Sequence, residues 1–268
     1  MDRSILEKYK KQEDRLLLSK VIDKSKFCLE KNKIETTDFL DLSQKELVCK
    51  FLQTCKKEQY ILYGGLEDAE RTVAIFYPEK LEEIIKENKF DFNTIFSVIR
   101  ITLPNELKGS FEHRNYLGAL IKLGLKREKI GDIIVYAEGA DIIVKPEIEQ
   151  FLITNLNELT RFNKSKIEKI KLSEIKQIEK VKIEEKITVS SMRLDNIVSE
   201  LAKCSRNKAD ELLIGERVLI NFETTTKASK EIKEKDIITI RGKGRYQIIE
   251  ILGNSRKGKI IVKVEKFN

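Results

Sequence analysis

Two periodicities alternate along the chain. Over about the first 68 residues apolar positions recur at helical spacing, as in LLLSKVIDKSKFCLE (16–30) and QKELVCKFLQTCKKE (44–58). FLDLS (39–43) interrupts them and offers Ser43 as an N-cap. From Thr72 the pattern changes to TVAIFYP, a helical LEEIIKEN, FSVIRITLP, a helical RNYLGALIKLGL, and GDIIVYAEGADIIV, in which two D-I-I-V strands flank an EGA turn. A further helix, PEIEQFLITNLNELT, follows. Strands and helices in this order suit an α+β sandwich with one helix-covered sheet face. The Lys/Glu/Ile-rich run from Lys164 to Lys186 reads as the last strands of that domain joined to a linker.

After residue 187 the pattern tightens. Leu194, Ile197, Val198 and Leu201 fall at i, i+3, i+4 and i+7, one stripe of a short helix. Ser205 is placed to cap a second helix with Ala209, Leu212 and Leu213 inward, and Gly215 to end it in the left-handed conformation. RVLIN and IKEKDIITI read as strands, and QIIEIL, NSRKGK and IIVKVEKF as a closing hairpin. Helices this short are unstable alone and must pack on the sheet.

Length and composition add that 268 residues suit two or three domains, and that 41% hydrophobic with 36% charged residues describes a soluble globular chain. No apolar run reaches the ~18 residues of a membrane span and the first residues lack a signal core, so the cytoplasm is the expected location. The four scattered cysteines and single histidine, His113, encode neither a disulfide framework nor a multi-histidine metal site, so no metal or cofactor is expected.

Charge changes the picture only at the C-terminal end. Residues 187–268 hold 17 Lys/Arg against 11 Asp/Glu, whereas the preceding 186 residues hold 35 against 33. Residues 241–268 alone carry eight basic side chains against Glu250 and Glu265. Such an excess is either the footprint of a phosphate-binding surface or a hairpin kept soluble by lysine. Arg206 and Lys208 flank the apolar stripe in the first turn of the second helix, where free N–H groups and the dipole favour phosphate. Alternatively Arg206 pairs with Asp210 at i+4, and Arg193 is tied to Asp195.

R-L-D at 193–195, Ser205-Arg206 with Lys208 and Ala209, G-x-x-V-x-I-N at 215–221 and K-x-x-D-x-I-x-I at 233–240 together resemble the S4-type RNA-binding domain. The resemblance implies an α-L fold gripping structured RNA through Arg193, Ser205, Arg206 and Lys208. RGKGRY would be the basic end of the module, with Lys243 and Arg245. Where the family carries Asn-Gly after the strand, this chain has Asn221-Phe222. Upstream, YGGLEDAER (63–71), FEHRNYLGALIKLGLKREKIGDI (111–133) and SSMRLDNIVSEL (190–201) resemble the signature regions of the YlmH family. That resemblance implies a helical N-terminal domain (1–70), an RRM-like α+β domain (71–180) and an S4-type domain (181–268). It further implies large-subunit rRNA and tRNA as partners in quality control of stalled nascent chains, with a link to cell-division proteins, and a monomer is the expected state.

The chain is expected not to be an enzyme. It has no G-x-G-x-x-G, no G-x-x-x-x-G-K-[ST] and no H-I-G-H-type segment, and about 28 residues after Ile240 leave no room for a pseudouridine synthase domain. Two alternatives stand beside the RNA-binding reading: an adaptor of the division machinery, or an RNA-modifying enzyme built around His113. His113, Arg114 and Arg127 could form a second phosphate surface; otherwise the arginines bridge to Glu112, Glu128 or Asp132 and fix the domain. Phe76, Tyr77 and Phe96, the aromatics of the middle strands, are expected in the core rather than on an RNA-stacking face.

Overall fold

The computed structural model describes residues 3–55, 59–178 and 183–267. The chain divides into two compact units, Met1–Ile178 and Glu179–Asn268. Residues 56–58 of the expected second helix and 179–182 of the expected linker lie outside the described residues.

The first unit opens with α1 (Gln12–Lys31) and α2 (Leu42–Gln53). α1 buries Leu18, Val21, Ile22, Ser25 and Cys28, the inward stripe of its pattern, and ends at Asn32 in the left-handed conformation. The N-cap of α2 is Asp41 rather than Ser43: its carboxylate accepts from Gln44 N while Gln44 Oε1 accepts from Asp41 N, a reciprocal box that a Ser at the second helical position has no means to form. This N-terminal segment also contains strands. β1 (Glu35–Thr36) and β2 (Tyr60–Tyr63) both pair antiparallel with β3 (Val73–Phe76), so the division expected at residue 70 runs between partners in one sheet.

Beyond the short α3 (Glu82–Lys86), β4 (Ser97–Thr102), α4 (His113–Lys122), β5 (Ile130–Tyr136), β6 (Gly139–Val144), α5 (Glu149–Asn155) and β7 (Lys166–Ile170) follow in βαββαβ order. Their antiparallel sheet runs β5-β6-β4-β7, the RRM-like arrangement. Each face has its own core. Ile99, Ile101, Ile133, Ala140 and Ile142 meet Tyr116 and Leu120 of α4 and Leu152 of α5. On the reverse side Val98 and Ile143 pack with Phe39, Val73, Ile75 and Phe96. The small sheet therefore covers the face that an RRM leaves open for bases, and Phe76, Tyr77 and Phe96 are 1%, 6% and 1% exposed.

Polar contacts fasten these layers. Arg100 forks onto the fully buried Asp141 (Nε–Oδ1 and Nη2–Oδ2, both 2.7 Å), which also accepts from the Tyr136 hydroxyl and Lys176 N. Lys145 Nζ donates to Thr36 Oγ1 at 2.6 Å and to Thr37 O, and burial pushes its pKa down to about 8.

The second unit is a six-stranded sheet ordered β10-β9-β11-β12-β13-β8, comprising β8 (Ile183–Val189), β9 (Val218–Ile220), β10 (Glu223–Thr224), β11 (Ile237–Ile240), β12 (Gly244–Asn254) and β13 (Ile260–Phe267). The Lys/Glu/Ile-rich run thus divides, β7 completing the middle sheet and β8 pairing with β13. α6 (Leu194–Ala202) and α7 (Arg206–Ile214) lie on one face, with Leu194, Ile197, Val198, Leu201, Ala209, Leu212 and Leu213 all buried against Val218, Ile238, Ile248 and Val264. Gly215 is not the left-handed residue (φ −76°); Lys203 (φ 51°) ends α6 and Glu216 (φ 53°) takes that conformation after α7. Among the described residues no helix is long and apolar enough to cross a membrane.

Asp141→Asn should destabilise the first unit by ~3 kcal/mol, because it removes the charge that compensates a largely buried guanidinium. Denaturant unfolding should show the loss in the transition of that unit and leave the second unit unchanged.

Candidate nucleic-acid interface

The helix pair is organised by one carboxylate. Asp195, in the first turn of α6, has a side chain 2% exposed and cannot stay charged there without partners. It has two: Arg193 donates through Nε (3.1 Å) and Nη2 (3.0 Å), and Arg206 through Nε (2.9 Å) and Nη2 (2.5 Å). Burial alone would raise the pKa of Asp195; the two guanidiniums outweigh it and hold the carboxyl below its usual value. Arg206 therefore pairs with Asp195 rather than with Asp210, its i+4 neighbour. Arg193 and Arg206 remain 44% and 55% exposed, so each is fixed on its inner edge and open to solvent on its outer one.

Ser205 caps α7, its hydroxyl accepting from Lys208 N at 3.3 Å. Lys208 extends into solvent and pairs with Glu211 at 2.5 Å, an exposed bridge that a phosphate could replace at little cost. The site thus comprises two oriented arginines, a helix start and an exposed lysine charge.

The basic C-terminal stretch does not form one surface. Lys243 sits in the exposed turn between β11 and β12, and Arg245 follows on β12. Arg256, Lys257 and Lys259 occupy the far end of that strand, beyond Asn254. Lys263 is bridged to Glu184 at 2.8 Å, and Lys266 lies over the Tyr246 ring.

Phe222 makes a contact that no local pattern encodes. Ile220 pairs with Glu223, leaving Asn221-Phe222 as a two-residue hairpin turn with φ 49° and 68°. Positive φ at both positions defines the turn that favours Asn-Gly. Asn221 is held in it by bonds to Asp236 and Ile237, and the Phe222 ring lies 5.7 Å from the Arg245 guanidinium. The departure from Asn-Gly was visible in the sequence; the 23-residue reach to Arg245 was not.

In the first unit, His113 and Arg127 come together and Arg114 stands apart, 82% exposed and bridged to Glu112 at 3.0 Å. Arg127 Nη1 and Arg71 Nε both donate to Ile130 O, at 2.6 and 2.9 Å, and Arg71 also reaches Phe39 O. Burial and the neighbouring Arg71 lower the Arg127 pKa to about 10, while burial and Arg127 lower that of His113. Asp41, Glu70 and Asp132 lie in the field of this pair. Arg71 binds backbone carbonyls of Phe39, Arg127 and Ile130 and so ties distant segments together, whereas Arg127 closes only on Ile130 and Gly131 just downstream of it. Among the described residues no group of three His, Cys, Asp or Glu side chains is placed to hold a metal, and all four cysteines are free thiols. A cavity of about 1130 Å³ lies between α1 and the Lys129–Lys145 region, where Lys129 is already paired to Asp38 and Glu147.

Comparison with known proteins matches this architecture. The family model described as "Putative RNA-binding domain in YlmH" covers residues 86–188, and the S4 domain model covers residues 192–238. The ribosome-associated protein quality control protein P2 of Bacillus subtilis (strain 168) is 30% identical over 257 residues, 96% of each chain. The chain belongs to the YlmH family. The solved structure of the cell division protein ylmH from Streptococcus pneumoniae is 20% identical and superposes with a TM-score of 0.47, covering 63% of this chain and 98% of that one. The two family models place RNA-binding domains on both units of this YlmH-family chain, and the S4 match contains the helix pair, β9, β10 and the start of β11.

Two outcomes follow for this site. Asp195→Asn should cost ~1–2 kcal/mol of stability, since the half-exposed arginines rehydrate when released. Because the folded-state pKa of Asp195 is depressed, its contribution is complete above the unfolded value of ~3.9 and disappears as pH falls through the folded value. The difference in unfolding free energy between wild type and variant should therefore shrink in acid. Phe222→Gly should raise the stability of the second unit by ~1 kcal/mol by relieving left-handed strain, read as a higher melting temperature.

Proposed function

We propose that this protein is a non-catalytic RNA-binding factor of the cytoplasm that docks its S4 module on large-subunit rRNA and tRNA during quality control of stalled nascent chains. The observation that carries the reading is the pair of guanidiniums held by buried Asp195 with their outer edges in solvent. Guanidiniums fixed before binding lose little conformational freedom when they fork onto phosphate. The ribosome enters through the relative from Bacillus subtilis, whose name describes a ribosome-associated quality control protein.

The chemistry required is stabilisation. Bound to two RNAs, the protein contributes free energy to one relative placement of tRNA and subunit, and no bond is made or broken. Arg193, Ser205, Arg206 and Lys208 form the helix-pair contact, and Lys243 and Arg245 extend it from the strand end. Phe222, lying against Arg245, orients that guanidinium and offers a ring edge to a base.

Sedimentation of cell lysate on a sucrose gradient tests this reading. Wild type should travel with the large subunit, and an Arg206→Ala, Lys208→Ala double variant should stay at the top. Purified, the variant should lose ~0.7–0.9 of log–log salt slope per missing phosphate contact. Wild type remaining at the top would overturn the ribosomal assignment.

A further inference from the structure

The β12–β13 hairpin is longer than the sheet needs. β11 pairs with β12 only as far as Ile237↔Gln247, while β12 runs on to Asn254. Its partner β13 continues to Ile260, which faces Val189 of β8. The tip therefore lies at the end of the sheet where β8 hands over to α6, and at the opposite end from Lys243 and Arg245. The 11 residues of β12 separate the two groups by roughly 30 Å, at about 3.3 Å per residue.

The tip is built rather than loose. Ser255 O accepts from Gly258 N at 2.9 Å, closing a β-turn with Arg256 and Lys257 at its centre and Gly258 at φ 73°. Ser255 N donates to Lys259 O at 2.7 Å, and the Ser255 hydroxyl accepts from Lys259 N at 3.1 Å. Arg256, Lys257 and Lys259 are exposed, and among the described residues no carboxylate pairs with any of them. Beside them Ile251 and Leu252 are 38% and 42% exposed. Three unpaired cations on a narrow, fixed turn, with apolar surface behind, would collect phosphate oxygens and the ribose edges of a helical groove. The S4 match stops at residue 238, so the whole hairpin lies outside it.

We infer that the tip of the β12–β13 hairpin is a second RNA-backbone contact, formed by Arg256, Lys257 and Lys259 and separate from the Lys243–Arg245 end of the sheet. It rests on the RNA-binding reading above and adds a point of attachment to it. The tip and the Lys243–Arg245 end of the sheet lie far enough apart to engage different stretches of backbone, so the module is oriented on its RNA and not merely attached.

The test uses the full-length protein and a labelled RNA stem-loop of two helical turns, with anisotropy titrations across a range of salt. A variant carrying Arg256→Gln, Lys257→Gln and Lys259→Gln should lose roughly 2–3 of the log–log slope and on the order of tenfold in affinity at low salt. Combined with Arg206→Gln and Lys208→Gln, the losses should add. Hydroxyl-radical footprinting should show two protected stretches, one of which disappears in the hairpin variant alone. An unchanged slope and footprint in the hairpin variant, beside a loss in the helix-pair variant, would overturn this inference and leave the proposed function standing. Absence of wild-type affinity at low salt would overturn both.

Discussion

A carboxylate buried without compensation would be too costly to keep charged, and Asp195 escapes that cost by binding two arginines at once. The arginines come from opposite sides of the helix pair, one at the entry to α6 and the other in the first turn of α7. Their joint attachment sets how the two short helices sit together at that end, while the apolar stripe sets how they sit on the sheet. Core and candidate interface are thus one construction: the charge that must be satisfied inside determines which cations are presented outside.

The same economy runs through the first unit. The RRM-like sheet buries both faces, one under α4 and α5 and the other under the small sheet that begins with β1. Burial of Phe96 and the Arg100–Asp141 pair closes the surface on which an RRM stacks bases. RNA recognition by this unit would have to use its edges or loops. In the second unit, by contrast, helices cover one face and the basic groups gather at the sheet's two ends.

Local patterns were legible in the sequence and distant pairings were not. The stripes of α6 and α7, the paired D-I-I-V strands and the closing hairpin follow from periodicity of 3.6 or 2, which depends only on neighbours. Asp195 finding Arg206 eleven positions away depends on how two helices meet, so the nearer Asp210 looked the better partner. The eight basic residues after residue 240 looked like one cluster because they are close in sequence, but a strand places its ends far apart. Gly215 looked like the helix stop because glycine favours positive φ, yet Lys203 and Glu216 are held there by surrounding bonds. That the second sheet face is covered depends on strands more than 60 residues from Arg100's partner Asp141, a separation beyond any local window.

The pairing of β12 with β13 slips twice, between Ile248 and Glu250 and between Ile251 and Gly253. Each slip adds a residue to β12 that has no opposite number, so the strand coils and its backbone groups lose regular spacing. Beyond Ile248, whose N and O still bond Asp236 and Lys235, among the described residues only the Glu234 carboxylate reaches that strand's edge, at Ile251 N, and a straight, evenly spaced edge there would invite pairing with a strand from another molecule. The irregular spacing denies such a strand its register. A feature that bends the arm also protects it from aggregation.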